Sequence, residues 1–172
     1  MQESKHPRGL RGWLILIGIG LVLTVARFSY SVIAVYYPIF TDGSFTALTT
    51  PGTHLYNALW APFLISEALY NSIMGSFSIY LTYLFFTKHY LFPRLYIAAL
   101  VAWAVFVPLD AWVSSFVLVN EPIFDYDTTK EMIRVLIGVF VWVPYMLVSK
   151  RVKATFVKHR PVVANTRGNA AV

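Results

Sequence analysis

Four ionisable residues interrupt stretches of this chain that are otherwise apolar: Arg27, Glu67, Asp110 and Arg134. A charge at membrane depth costs about 2.5–3.5 kcal/mol or more unless it is paired or hydrated, so each marks a candidate site. Two are cations and two are anions, so the set sums to zero. Three kinds of chemistry fit such a quartet. It can be a buried ion-pair network that holds helices in register, a ligand, ion or proton site, or a docking surface for another membrane protein.

Other reactive groups are scarce. The histidines, His6, His54, His89 and His159, all fall outside the apolar stretches, which leaves no histidine pair to hold a haem within a bilayer. The chain has no cysteine, which removes disulfides, thiolate nucleophiles and cysteine-ligated metals. HExxH, GxSxG and Walker patterns are absent, and Ser76 has no histidine at its depth to act as a base. Two carboxylates such as Glu67 and Asp110 are the material of an acid/base pair, but arginines at the same depth would keep both paired and unavailable as bases. The expectation is therefore a protein that is not an enzyme and carries no cofactor and no metal.

The elements that must position these charges are four apolar stretches, at about residues 12–37, 62–86, 95–119 and 129–148. Each reaches the roughly 20 helical residues that a hydrocarbon core requires. The first continues too far to be a cleavable signal peptide. Counted inward from Trp13, Leu95 and Val148, the residues Arg27, Asp110 and Arg134 lie roughly 21–23 Å deep, and Glu67 lies about 28 Å from Phe86. The charges thus gather toward one side of the membrane. Helical spacing gives them polar company: Gly20, Thr24, Arg27 and Ser31 form a stripe on the first helix. Glu67, Asn71, Gly75, Ser78 and Thr82 do so on the second, and Asp110 with Ser114 on the third. Small and polar residues allow membrane helices to approach closely, so Thr24, Ser31, Asn71, Ser78 and Ser114 are expected to face the interior.

Boundary residues agree with these spans. Trp13, Tyr36 and Tyr37 suit an interfacial belt, and Pro62 suits a first helical turn. Thr128 with Glu131 has the spacing of a capping box opening the fourth helix. Pro108 and Pro144 fall inside spans and should bend them. The connection 38–61 is rich in Thr, Gly and Pro but contains Phe45, Leu55, Tyr56 and Trp60. It reads as an outer loop that covers the helix ends or docks a partner.

Eleven of the fourteen lysines and arginines lie in three segments, before the first stretch, between the second and third, and after the fourth. The other two connections hold Asp42, Glu121, Asp125, Asp127 and Glu131 with only Lys130. Cytoplasmic flanks are enriched in Lys and Arg, so both termini are expected in the cytoplasm. Residues 1–161 then form one transmembrane domain, and 162–172 a flexible cytoplasmic tail. Lys150, Arg151, Lys153 and Lys158 alternate with apolar residues after the last span, a pattern suited to anionic lipids of the inner leaflet.

Composition points the same way. Of 172 residues, 58% are hydrophobic and only 13% are charged, where soluble domains carry about 25%. The net charge of +6 does not form one soluble basic face with stacking aromatics, so nucleic acid is not expected as a partner. The fold class is an all-α integral membrane protein, four transmembrane helices in an antiparallel bundle with both ends inside.

The Gly12-Trp13-Leu14 opening, Phe92-Pro93-Arg94-Leu95 before the third span, and the pattern WxPYxxxSxRVKxTF from Trp142 to Phe156 resemble a family of small bacterial inner-membrane proteins. That family is classed as a domain of unknown function. The resemblance covers Pro7 to Val157 and implies a four-span inner-membrane protein, with no substrate, cofactor or catalytic residue to carry over.

Three functional readings stand. The first is a non-catalytic accessory, assembly or regulatory subunit of a larger membrane complex. The second is a small oligomeric transporter or ion-coupled carrier using Glu67 and Asp110, with Arg27 and Arg134 as gates. The third is a membrane enzyme acting on lipid or quinone.

Overall fold

The computed structural model describes residues 9–118 and 122–157. These residues form six helices: α1 (Trp13–Thr41), α2 (Ser44–Thr49), α3 (Trp60–Phe86), α4 (Phe92–Ser114), α5 (Tyr126–Val148) and α6 (Lys150–Thr155), with no strand among them. Three of them, α1, α4 and α5, are long and apolar enough to cross a membrane. At 27 residues α3 is also long, about 40 Å, but Glu67, Asn71 and a run of serines make it more polar.

Contacts along the helices define their directions. Between α1 and α3, Gly18 meets Phe85 and Gly75 meets Phe28, so a step forward on one helix is a step back on the other. The same inversion relates α3 to α4 through Phe85–Phe92 and Tyr70–Phe106 ring contacts, and α4 to α5 through Leu100–Gly138 and Trp103–Glu131. Successive long helices therefore alternate in direction. Backbones pack closely along α1–α3, α3–α4 and above all α4–α5. Between α1 and α5 they stand apart, and those two helices meet through side chains.

The best-packed core lies at the end where α1 begins and α5 ends. Leu14, Ile17 and Leu21 of α1, Leu81, Leu84 and Phe85 of α3, Phe92 of α4 and Met146 of α5 close around Val152 and Phe156. The Phe85, Phe92 and Phe156 rings sit with centroids 4.8–5.8 Å apart, within the range of favourable aromatic pairs. Gly18 permits this approach: a Cβ there would lie 2.9 Å from the Phe85 ring. The start of α1 and the end of α6 are tied together at this core, because the Gly9 N–H donates to Thr155 Oγ1 at 3.1 Å and the Trp13 and Trp142 rings meet edge to face.

Local chemistry sets the boundaries, and several differ from expectation. The first helix does not stop at Tyr37 but continues through Pro38 to Thr41 by way of a π-helical turn at Val32–Tyr36. The ring of Pro38 would collide with the carbonyl four residues back, and widening the preceding turn relieves that collision. Gly43, at φ 89°, then reverses the chain, and Asp42 Oδ1 accepts from the Ser44 N–H as α2 begins. The connection 38–61 is thus partly helical, and α2 rests on α3.

The third apolar stretch ends as helix α4 at Ser114, and Val119 lies outside the described residues. The capping box on Thr128 and Glu131 does not form: Asp125 caps α5 by accepting from the Thr128 N–H at 2.7 Å, which releases Glu131 for other partners. Pro108 and Pro144 sit inside uninterrupted helices. Lys158 and the proposed tail, 162–172, lie outside the described residues.

Candidate functional site

The four sequence-selected charges divide into two groups. Arg27 of α1 and Arg134 of α5 both donate to Glu131, the first to Oε1 at 2.7 Å and the second to Oε2 at 2.6 Å. Trp103 of α4 completes this group: its indole N–H lies 3.4 Å from Glu131 Oε1, and its ring stands 5.6 Å from the Arg27 guanidinium. Glu131 is well enclosed, with 18% of its side chain exposed, whereas Arg27 and Arg134 remain 51% and 60% exposed. The expected pairing of the arginines with Glu67 and Asp110 is not found. Sequence reading assigned Glu131 to a helix cap, although Glu131 and Arg134 have the i, i+3 spacing of a same-face ion pair.

Glu67 and Asp110 form the second group. They are close enough to each other to interact electrostatically, and Tyr36 of α1 lies beside Glu67. Asn71 Nδ2 in turn donates to the Tyr36 oxygen at 2.7 Å. The π turn of α1 ends at Tyr36 and so sets the rotation that brings its hydroxyl to α3. Among the described residues neither carboxylate has a salt-bridge partner. The earlier objection to an acid/base role, that arginines pair with these carboxylates, therefore does not apply to the folded chain.

The five stripe residues are buried or half-buried, but most satisfy their polar groups locally. Thr24, Ser78 and Ser114 turn their hydroxyls back to carbonyls of their own helices, Gly20, Met74 and Ala111, at 2.8, 2.8 and 2.9 Å. That local bond satisfies the hydroxyl without bridging helices. Only Asn71 of the stripe makes an interhelical hydrogen bond, to Tyr36; Ser78 is buried, and Ser31 is half-buried. Close helix contacts occur at Gly75, on the expected stripe, where a Cβ would lie 3.3 Å from Phe28, and at Gly18, off it, while a Cβ on Gly20 would meet nothing within 4 Å.

That open space belongs to a cavity of about 310 Å³ bounded by α1, α3, α4 and α5. Arg27, Arg134 and Glu131 stand at one end of it and Trp142 at the other, with Gly20, Leu100 and Gly138 along the mostly apolar walls. A half-open, largely apolar space with a few convergent polar groups is the usual form of a small-molecule site. No cluster of metal-ligating side chains occurs among the described residues.

The basic segment after α5 is an element of the fold. Ser149 breaks the helix and caps α6, its Oγ accepting from the Val152 N–H. Val152 and Phe156 enter the core, Lys150 and Lys153 stay exposed, and the Arg151 guanidinium lies over Gly12.

Neither the curated proteins nor the solved structures hold a match to the chain. Residues 7–157, from the arginine-rich start to the α6 helix that closes the core, match a family described as protein of unknown function, and the chain belongs to that family, DUF2569.

Proposed function

We propose that the protein crosses a bacterial inner membrane four times, with both termini cytoplasmic, and serves without catalysis as an accessory, assembly or regulatory subunit of a membrane complex. Support for a fourth span comes from α3, whose one charged residue is Glu67 and which lies antiparallel between α1 and α4. Support for orientation comes from the charge at the helix ends. Arg11, Lys88, Arg94, Lys150, Arg151 and Lys153 mark one end, while Asp42, Asp125 and Asp127 mark the other. Exposed Lys150 and Lys153 then face anionic lipids of the inner leaflet.

The observation that carries the subunit reading is apolar surface at the far end. Phe40, Leu55, Tyr56 and Leu59 remain exposed there, although the segment is folded through the Phe40–Phe45 ring contact and the Asn57 N–H bond to the Leu48 carbonyl. Apolar side chains left exposed on a folded segment mark interaction sites. Cysteines placed at Ser44 and Tyr126 should react with an impermeant reagent in intact cells, and one at Lys88 should stay protected. Outside labelling at Lys88 overturns the orientation. Purification in mild detergent should yield a larger membrane protein at constant ratio, and loss of that partner in a Leu55→Asp, Leu59→Asp variant would locate the contact.

A second reading, an ion-coupled carrier, is favoured by the unpaired Glu67 and Asp110 beside Tyr36. Proton-linked solute uptake into liposomes that vanishes in Asp110→Asn would replace the subunit reading.

A further inference from the structure

We propose that the cavity between α1 and α5 takes one acyl chain of an anionic phospholipid, whose phosphate sits on Arg27 and Arg134. This inference goes beyond the subunit reading and needs only that the helices stand in a bilayer.

Charge identifies the headgroup. Two arginines share one glutamate, so the group carries a net positive charge, and each guanidinium has five N–H donors. Glu131 engages a single nitrogen on each, and both side chains are more than half exposed at the cavity mouth. The remaining N–H groups can form the paired bonds that suit phosphate oxygens.

Shape identifies the tail. From Glu131 to Trp142 the cavity follows α5 for about 16 Å, from charged to apolar, in the head-to-tail order of a lipid. Its volume of about 310 Å³ is at the lower limit for a ligand site and suits one chain, leaving a second chain in the surrounding bilayer. The separation of α1 and α5 gives a lateral entrance, and both helices expose apolar residues such as Leu23 and Ile137. A molecule already dissolved in the membrane reaches such an entrance directly, whereas a soluble anion must leave water first.

The test is native mass spectrometry of the full-length protein in mild detergent. The protein is titrated with phosphatidylglycerol, with phosphatidylcholine of the same chains, and with palmitate. Phosphatidylglycerol should bind at least about tenfold more tightly than phosphatidylcholine, a difference that Arg134→Gln should largely remove. That variant keeps the Arg27–Glu131 bond, and an unchanged melting temperature checks its fold. Gly138→Phe, which fills the cavity, should weaken phosphatidylglycerol binding by a similar factor. Equal binding of the two phospholipids overturns the proposal, as does a preference that survives Arg134→Gln or unaltered binding by folded Gly138→Phe. Palmitate binding as tightly as phosphatidylglycerol assigns the site to a free fatty acid and overturns the phospholipid.

Discussion

Lys88 adopts a backbone conformation that side chains usually avoid, φ 56°, at the end of α3. The His89 N–H reaches the Leu84 carbonyl and the Lys88 N–H reaches that of Phe85, the two bonds of a Schellman motif, in which glycine ordinarily holds the left-handed position. Lys88→Gly should therefore stabilise the protein by about 1 kcal/mol, read as a higher melting temperature. Asp125 carries the opposite kind of local device. Its hydrogen bond from Thr128 holds the carboxyl below its ordinary 3.8. A carboxyl depressed by folding contributes stability above its unfolded pKa and loses it as pH falls through the folded value. Asp125→Asn should thus remove part of the loss of melting temperature seen on acidification below about pH 4, while Asp125→Ala should lower the melting temperature already at neutral pH.

Elements meet here through a few positions where a helix is thin. Phe85 is fully buried among α1, α4 and α6, so it cannot yield to a methyl group on Gly18. Gly18→Ala should destabilise by about 1–3 kcal/mol, whereas Gly20→Ala, which faces open space, should change stability by less than about 0.5 kcal/mol. Melting the two variants in the same detergent checks the pair. Both glycines read alike in one dimension, as small residues in an apolar helix. Their difference depends on the rotation of α1 against α3, which follows from the ring at Phe85, 67 positions away. The π turn has the same character. Pro38 is visible in the sequence, but continuation of the helix through it was not, because termination and widening both relieve the same clash.

For the whole molecule, α1 and α5 lack close backbone packing and are linked through side chains, by Trp13–Trp142 at one end and by the Arg27–Glu131–Arg134 group toward the other. A double-mutant cycle on Arg27 and Glu131 should give a coupling of roughly 1 kcal/mol, limited by the hydration of the half-exposed arginine. The corresponding cycle on Arg27 and Asp110 should give less than about 0.5 kcal/mol. Unfolding in mixed micelles measures both. A larger Arg27–Asp110 coupling would restore the arrangement that depth alone suggests.

Composition and spacing by themselves determined the solvent and the elements. Long apolar helices and few charges leave a bilayer as the favourable surroundings, and hydrophobic length is a local property of the chain. The ionisable residues could be picked out for the same reason, since each is costly wherever its helix lies. Their partners could not. Depth places a charge along an axis, but contact depends on how each helix is turned about that axis and on which neighbours it meets. Tertiary structure therefore decided that Glu131 serves two arginines instead of a helix cap. It also decided that Glu67 and Asp110 come within electrostatic reach of each other near Tyr36, and that a cavity separates the first span from the last.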